Sequence, residues 1–392
     1  MNIVGIIAEY NPFHRGHAWH LAEARRRTDA AYTVVVMSGN YVQRGAPAMF
    51  DKYSRAQAAL KNGADLILEL PPCVSTGSAE YFAAGAVGLL TATGIVTDLC
   101  FGSECGDLDR LLKPAHILAQ EPEAFRQYLK EALRLGMSWP KARAWALGRY
   151  DRTIPQETLE HPNDLLALEY LKALERSHSP VRPHTVRRIG AHYHEARLCP
   201  EQTAAASGIR KALLQSQGIF TPELLVQLPS PEVYEAYRGK TPITEDAFSL
   251  LLLERLWHHP SVSLDAFFGV TKELSGRIRR HQEHFSSFSQ FTDLLKTRNL
   301  TRTAVSRGLL HIVLNIRNDQ PAGVFRVLGF RKNAEPLLKE LTKQGTFSLV
   351  TSPSDEVLPE DWLYADRLYE SVRALLHGQP YENEHRRKML VL

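Results

Sequence analysis

Short β-branched runs alternate with helical stretches over the first hundred residues, and this alternation constrains the fold more than any other feature of the chain. Residues 3–8 read IVGIIA, 32–37 YTVVVM, 66–70 LILEL and 98–101 DLCF. Between them, residues 17–27, 52–62 (closed by Gly63) and 79–93 (ended by Gly94) read as helices. Strands apolar on both faces belong to a sheet covered on both sides, and strand–helix–strand units cross over with a fixed hand. The fold class is therefore α/β, a doubly wound, Rossmann-like parallel sheet. Ligands of such sheets bind beyond the carboxyl ends of the strands, so segments 9–17, 38–47, 71–78 and 102–107 are expected to converge on one crevice.

The remainder is more helical. Residues 107–147, 163–175 and 202–215 read as helices, with one more strand near 181–189. Pro222, Pro229, Pro231 and Pro242 break the stretch 218–244. The expected division is a domain over 1–220 and a mostly α-helical C-terminal domain over 221–392, with helices near 245–257, 275–285, 301–316 and 359–376. A length of 392 residues suits two cores. The four cysteines include no CxxC pair, and no run approaches the ~20 apolar residues of a membrane span. The expectation is a cytoplasmic protein without a membrane partner; the oligomeric state is left open.

No two of the 24 glycines lie two apart, so the GxGxxG dinucleotide fingerprint does not occur. Arg238-Gly239-Lys240-Thr241 resembles the end of a P-loop, but Tyr234 stands where its first glycine belongs. The informative element is His14-Arg15-Gly16-His17, where the first strand delivers the chain into the first helix. Two imidazoles three apart in a first helical turn point the same way. Gly16 permits close backbone approach, and the unpaired N–H groups of the helix start favour a phosphate.

This combination resembles the HxGH nucleotidyltransferase superfamily, whose histidines contact the phosphates of ATP while the α-phosphorus is attacked. The superfamily's second motif, of the form ISSTxIR, has a counterpart in Ala205-Ala206-Ser207-Gly208-Ile209-Arg210, with Ala205 in place of a serine and Gly208 in place of a small polar residue. Further strings narrow the family: Met37 to Gly45 (MSGNYVQRG), Leu68-Glu69-Leu70-Pro71, Phe101-Gly102-Ser103-Glu104, Pro162-Asn163, Arg188-Ile189-Gly190 with Tyr193-His194, and Ser207 to Lys211. In their joint order, with weaker similarity at 302–311 and 326–330, they look like the tRNA(Met) cytidine acetate ligases.

The resemblance implies an enzyme that forms acetyl-adenylate from acetate and ATP, with Mg2+ accompanying the nucleotide, and passes the acetyl group to N4 of the wobble cytidine of elongator tRNA(Met). It also implies a nucleotide site. His14 and His17 would be catalytic, and ATP would lie against Ile7, Ala8, Glu9, Tyr10, Asn11, Pro12, Phe13, His14, Arg15, Gly16, His17, Ala18, Trp19, His20, Gly102, Asn163, Arg188, Ser207 and Arg210. Asn40, Gln43, Arg44 and Lys52 are candidates for acetate, phosphate or the anticodon, without assignment among these.

Between 271 and 317 nine Lys or Arg face three acidic residues. Given an RNA substrate, Arg277, Arg279, Arg280, Arg298, Arg302 and Arg307 are the candidate phosphate contacts. Phe285, Phe288 and Phe291, three apart, read as a core stripe rather than a stacking platform. No four-ligand zinc set is present, so no protein-held metal is expected. Two rivals remain open: an adenylyltransferase acting on a phosphorylated cofactor precursor, and a nonenzymatic RNA-binding sensor.

Overall fold

A computed structural model describes residues 1–155, 159–188, 202–258, 263–317, 323–352 and 358–392. Ile189, Gly190, Tyr193 and His194 lie outside the described residues. The first part of the chain runs β1 (Ile3–Ala8), α1 (Arg15–Thr28), β2 (Tyr32–Ser38), β3 (Tyr41–Val42), β4 (Ala46–Pro47), α2 (Lys52–Lys61), β5 (Leu66–Leu70), α3 (Pro72–Ser75), α4 (Ala79–Ala92) and β6 (Asp98–Ser103). Three helices follow, α5 (Leu108–Gln120), α6 (Glu123–Arg134) and α7 (Trp139–Tyr150), then α8 (Pro162–Arg176), β7 (Arg182–Arg187) and α9 (Ala206–Gln215). Beyond residue 220 come α10 (Pro222–Leu225), α11 (Pro231–Tyr237), α12 (Ser249–His258), α13 (Lys272–His281), α14 (Phe288–Leu295) and α15 (Arg302–Leu314). The chain closes with β8 (Val324–Phe330), α16 (Glu335–Gln344), β9 (Ser348–Val350), α17 (Glu360–His377) and β10 (Leu390–Val391).

The main sheet has the order β10-β8-β5-β2-β1-β6-β7, with β9 paired to β8. Strands β5, β2, β1, β6 and β7 are mutually parallel, as the alternation requires. The order reverses at β1, whose neighbours are β2 and β6, so the switch-point crevice opens at its carboxyl end. Two apolar layers cover the sheet. One packs Val34, Val36, Leu66 and Leu68 against α4, α8 and the later helices; the other packs Val35, Met37 and Ile67 against α1, α2 and α11. Gly5 is glycine for a local reason: a Cβ there would lie 2.9 Å from Leu90 and 3.0 Å from Val96.

Two observations go beyond the sequence reading. Segment 221–392 is rich in helices, but it also supplies β8, β9 and β10, and β8 pairs antiparallel with β5. The two expected domains thus share one sheet. The proline-rich stretch 218–244 is not a loose connector, because Tyr237 is fully buried and stacks on Phe50 at 4.4 Å. The phenylalanine stripe is core: Phe288 and Phe291 are buried, and Phe285 packs on Phe291 at 5.2 Å. No helix among the described residues is long and apolar enough to cross a membrane.

Candidate functional site

Between β1 and α1 the chain turns through Tyr10, whose φ of +49° is in the left-handed region. A non-glycine residue there is disfavoured, and packing holds it: the buried Tyr10 ring lies 4.9 Å from both Phe13 and His17. His14 is the N-cap of α1. Its Nδ1 accepts the Gly16 N–H at 3.1 Å, and its own backbone N–H donates to Nδ1 of His17 at 3.3 Å. Two imidazoles thus form a reciprocal capping box.

That arrangement fixes the chemistry of both rings. Each Nδ1 is an acceptor, so each ring carries its proton on Nε2 and presents Nε2–H as a donor. The ring centroids are 3.8 Å apart. His14 is 3% exposed, and neither its Nε2 nor that of His20 has a partner among the described residues. Burial, reinforced by Arg188, Arg210 and Arg15, lowers the His14 pKa to about 3. Burial and then His14 and Arg188 hold His17 well below the usual histidine range, and burial with Arg188 lowers His20 to about 4. At neutral pH the three are uncharged donors in a positive field.

Gly16 is required by contact. A Cβ there would meet His14 Cε1 at 2.8 Å and Thr203 Cγ2 at 3.0 Å. The second motif lies beside the first: Arg210 on α9 donates to the Asn11 carbonyl at 2.8 Å, and Arg15 Nε donates to Thr203 Oγ1 at 3.1 Å. Ala205 is the N-cap of α9 and offers no side-chain cap, with Ser207 in the first turn.

The other wall comes from β6 and α8. Arg188 lies across Gly102, where a Cβ would stand 3.2 Å from its Cγ. Glu104 accepts from Nδ2 of Asn163 at 2.5 Å and from the Asp164 N–H at 2.8 Å. Asp164 returns the contact, accepting from the N–H groups of Glu104 at 2.8 Å and Cys105 at 3.2 Å. Gly102, Asn163 and Arg188 are thereby brought to the crevice flank opposite the loop that follows β2.

Several supports escape sequence reasoning. The buried Arg55 guanidinium donates to the carbonyls of Glu9 (2.6 Å), Ser38 (3.0 Å), Phe50 (2.9 Å) and Gly39, tying the loops after β1 and β2 together. Gln227 accepts the Arg15 N–H on its carbonyl at 2.9 Å and the Ala204 N–H on its side chain at 2.8 Å. Tyr237 accepts the Phe13 N–H at 3.0 Å. Only Glu104 carried a signal, as the acid of the Phe101-Gly102-Ser103-Glu104 string ahead of a helix start.

The four unassigned residues separate. Lys52 is fully buried, bound to Glu69 (3.0 Å), Asp366 (2.7 Å) and Glu384 (3.0 Å), and Arg326 meets the same three acids. Asn40 joins this network through Asp366 at 3.0 Å and the Lys52 N–H at 3.0 Å. Gln43 reaches the crevice, its N–H donating to Glu9 Oε1 at 2.9 Å, and Arg44 is exposed on the same hairpin.

Of the six arginines proposed from the basic segment, Arg277 donates to the carbonyls of Leu295 (2.9 Å) and Leu294 (3.4 Å), closing α14. Arg280 donates to the Gly276 carbonyl, and Arg302 pairs with Glu245 at 3.3 Å and Asp293 at 3.4 Å. Arg279 and Arg298 are exposed. Arg307 is half-buried against the hairpin after β2, where Gly45 (φ +75°) has room only for a hydrogen: a Cβ would lie 2.4 Å from the Arg307 nitrogen. Among the described residues no three His, Cys, Asp or Glu side chains gather as a metal site.

Comparison with known proteins agrees with this geometry. The family model described as HIGH Nucleotidyl Transferase matches residues 1–386. The tRNA(Met) cytidine acetate ligase of Halothermothrix orenii is 36% identical over 421 residues, covering 100% of this chain and 99% of that protein. The protein of the same name from Thermoanaerobacter sp. is 38% identical over 369 residues, covering 90% and 89%. A crystal structure of Thermotoga maritima TmcAL bound with alpha-thio ATP superposes with a TM-score of 0.88 at 29% identity, covering both chains completely. With the match running the length of the chain, the protein belongs to the HIGH nucleotidyl transferase family and, within it, to the tRNA(Met) cytidine acetate ligases.

Proposed function

We propose that the chain joins acetate to ATP as acetyl-adenylate, releasing pyrophosphate, and then transfers the acetyl group to N4 of the wobble cytidine of elongator tRNA(Met). The observation that carries this reading is the buried His14 imidazole, whose Nε2 has no partner among the described residues, stacked beside His17 at a helix N-terminus among Arg15, Arg188 and Arg210. In the first step an acetate oxygen bonds to the α-phosphorus as the bond to the leaving pyrophosphate breaks. Charge grows on phosphate oxygens, where fixed donors in a site shielded from water act most strongly. With a pKa near 3, His14 stabilises that charge by donating a hydrogen bond rather than by giving up a proton. In the second step the cytidine amine attacks the acetyl carbon and AMP leaves; the amine loses a proton and is a weak nucleophile, so positioning dominates.

Glu104 accepts N–H donors on both of its oxygens, and Mg2+ accompanying the nucleotide would be held by phosphate oxygens and water, its ordinary coordination. Segment 1–220 is read as the catalytic unit and 221–392 as the unit facing tRNA, with Arg277, Arg279, Arg280, Arg298, Arg302 and Arg307 as candidate contacts. The test is isotope exchange between pyrophosphate and ATP without RNA. Exchange that requires acetate supports the ligase, and His14→Ala or His17→Ala should lower it about 10²-fold with the fold intact. Labelled acetyl should then reach tRNA(Met), and changing the wobble cytidine to uridine should abolish transfer. A protein that exchanges only with a phosphorylated cofactor precursor is an adenylyltransferase instead.

A further inference from the structure

Helices α6 and α7 form a hairpin whose outer surface is unlike the rest of the catalytic half. Its inner side is ordinary core, with Phe125, Ala132, Ala142, Ala146 and Leu147 buried. The outer side exposes Trp139 at 57% and Leu135 at 65% around the turn, with Tyr150 at 38% at the far end of α7. Lys130, Arg134, Lys141, Arg149 and Arg152 are all exposed, and among the described residues none has an acidic partner within salt-bridge distance. The contrast is with their neighbours: Arg126 on α6 pairs with Glu123, Arg143 on α7 with Glu169, and Lys113 on α5 with Asp151. Lys141, Trp145 and Arg149 recur at four-residue spacing along one face of α7, and the Arg149 guanidinium lies 5.9 Å from the Tyr128 ring and 6.0 Å from the Trp145 ring.

The hairpin is also connected to the crevice. The Arg143–Glu169 pair sets α7 alongside α8, and the chain leaves α7 at Tyr150 to enter α8 at Pro162, next to Asn163 and Glu104. Lys113 fixes that end of α7 through Asp151 at 2.5 Å and Thr153 at 2.8 Å. Lys141 and Arg149 therefore stand along α7, a helix about 18 Å long, and Arg152 lies just past its end, on the stretch of chain that leads to α8 and Asn163. Exposed cations without counter-ions interleaved with exposed aromatic rings complement a polyanion with accessible bases.

Resting on the tRNA reading above, we infer that the α6–α7 hairpin is a docking surface for the RNA stem-loop that delivers its base to the crevice. Lys130, Arg134, Lys141, Arg149 and Arg152 face phosphates, and Trp139 stacks on an unpaired base or packs on a sugar. This surface is separate from the basic segment on α13 to α15. The experiment uses the full chain with tRNA(Met), measuring binding at several salt concentrations together with acetate-dependent exchange in the absence of RNA. Lys141→Gln/Arg149→Gln/Arg152→Gln should weaken RNA binding at least 10-fold and lower the slope of log affinity against log salt by about 2, since each lost contact removes about 0.7 to 0.9. Trp139→Ala should weaken binding about 5-fold or more with the salt slope unchanged. Both variants should keep exchange within about 2-fold of the unmutated chain, which reports an intact fold and nucleotide site. Unchanged affinity and slope overturn the proposal, as does a Trp139→Ala variant that alters the sedimenting mass and leaves RNA binding intact, because the patch is then covered by a second copy. Absence of acetate-dependent exchange in the unmutated protein counts against the ligase reading, and the binding measurements still decide the surface.

Discussion

At the scale of single residues the site is a matter of which atoms are already committed. The His14 and His17 Nδ1 atoms are engaged by backbone N–H groups, which leaves Nε2 to face a ligand. His14 also imposes a pH dependence whose sign follows from its lowered pKa, about 3 against an unfolded value near 6.5. Above pH 6.5 neither state binds the proton. Below it the unfolded chain takes up a proton that the folded chain refuses, so stability falls as pH drops, by about 1.4 kcal/mol per unit for this one group. Urea unfolding at pH 7.5 and 5.5 should show the unmutated protein losing about 1 kcal/mol more than His14→Gln; equal losses would mean His14 is solvated. The glycines give a second contrast. Gly16→Ala drives its new Cβ into the His14 ring and should cost exchange activity about 10-fold or more, whereas Gly102→Ala meets only the flexible Arg188 stem and should chiefly raise the KM for ATP. His14, His17 and Gly16 were legible in the sequence because they act on one another within four residues, whereas Gly102, which packs on the distant Arg188, was legible only through the family resemblance. Gln227 and Tyr237 were not, because they reach the same loop from more than 200 residues away and belong to no local pattern.

At the scale of elements, the parallel strands were readable because burial on both faces leaves a continuous apolar run. Strand β8 was hidden for the opposite reason: its VFRVLGF run carries Arg326, a charge that reads as exposed. In the fold Arg326 is 2% exposed and, with Lys52, neutralises Glu69, Asp366 and Glu384, which come from β5, α17 and the stretch before β10. Such a network contributes little net stability when intact, but breaking it is costly, because removing one cation leaves buried negative charge uncompensated. Lys52→Met should therefore destabilise the protein by about 3–5 kcal/mol at pH 8. The loss should shrink toward pH 5, where one of the three acids takes up a proton. A loss that is equal at both pH values in denaturant titrations would show that the carboxylates are not the source.

At the scale of the whole molecule, the same network decides whether the two halves of the chain are independent. The proline-rich stretch suggested a boundary near 220, and composition alone gave no reason to think that a strand crosses it. Yet β8 covers the β5 edge, Arg326 answers Glu69, and Tyr237 and Gln227 brace the loop bearing His14. A fragment of residues 1–220 would expose that β5 edge to solvent and leave Lys52 and Glu69 partnered only with each other, beneath a removed layer of helices. Exposed edges of apolar strands pair with other chains. The fragment should therefore aggregate or behave as a loosely packed state, with far-UV dichroism retained, near-UV dichroism lost and the unfolding transition no longer cooperative. Adding residues 221–392 as a separate chain should restore cooperativity only if β8 docks, and Arg326→Glu in that second chain should block the rescue by placing a fourth negative charge among three. A fragment 1–220 that unfolds cooperatively and binds ATP with the affinity of the full chain would show instead that the shared sheet is an addition to an independent catalytic domain rather than part of its core.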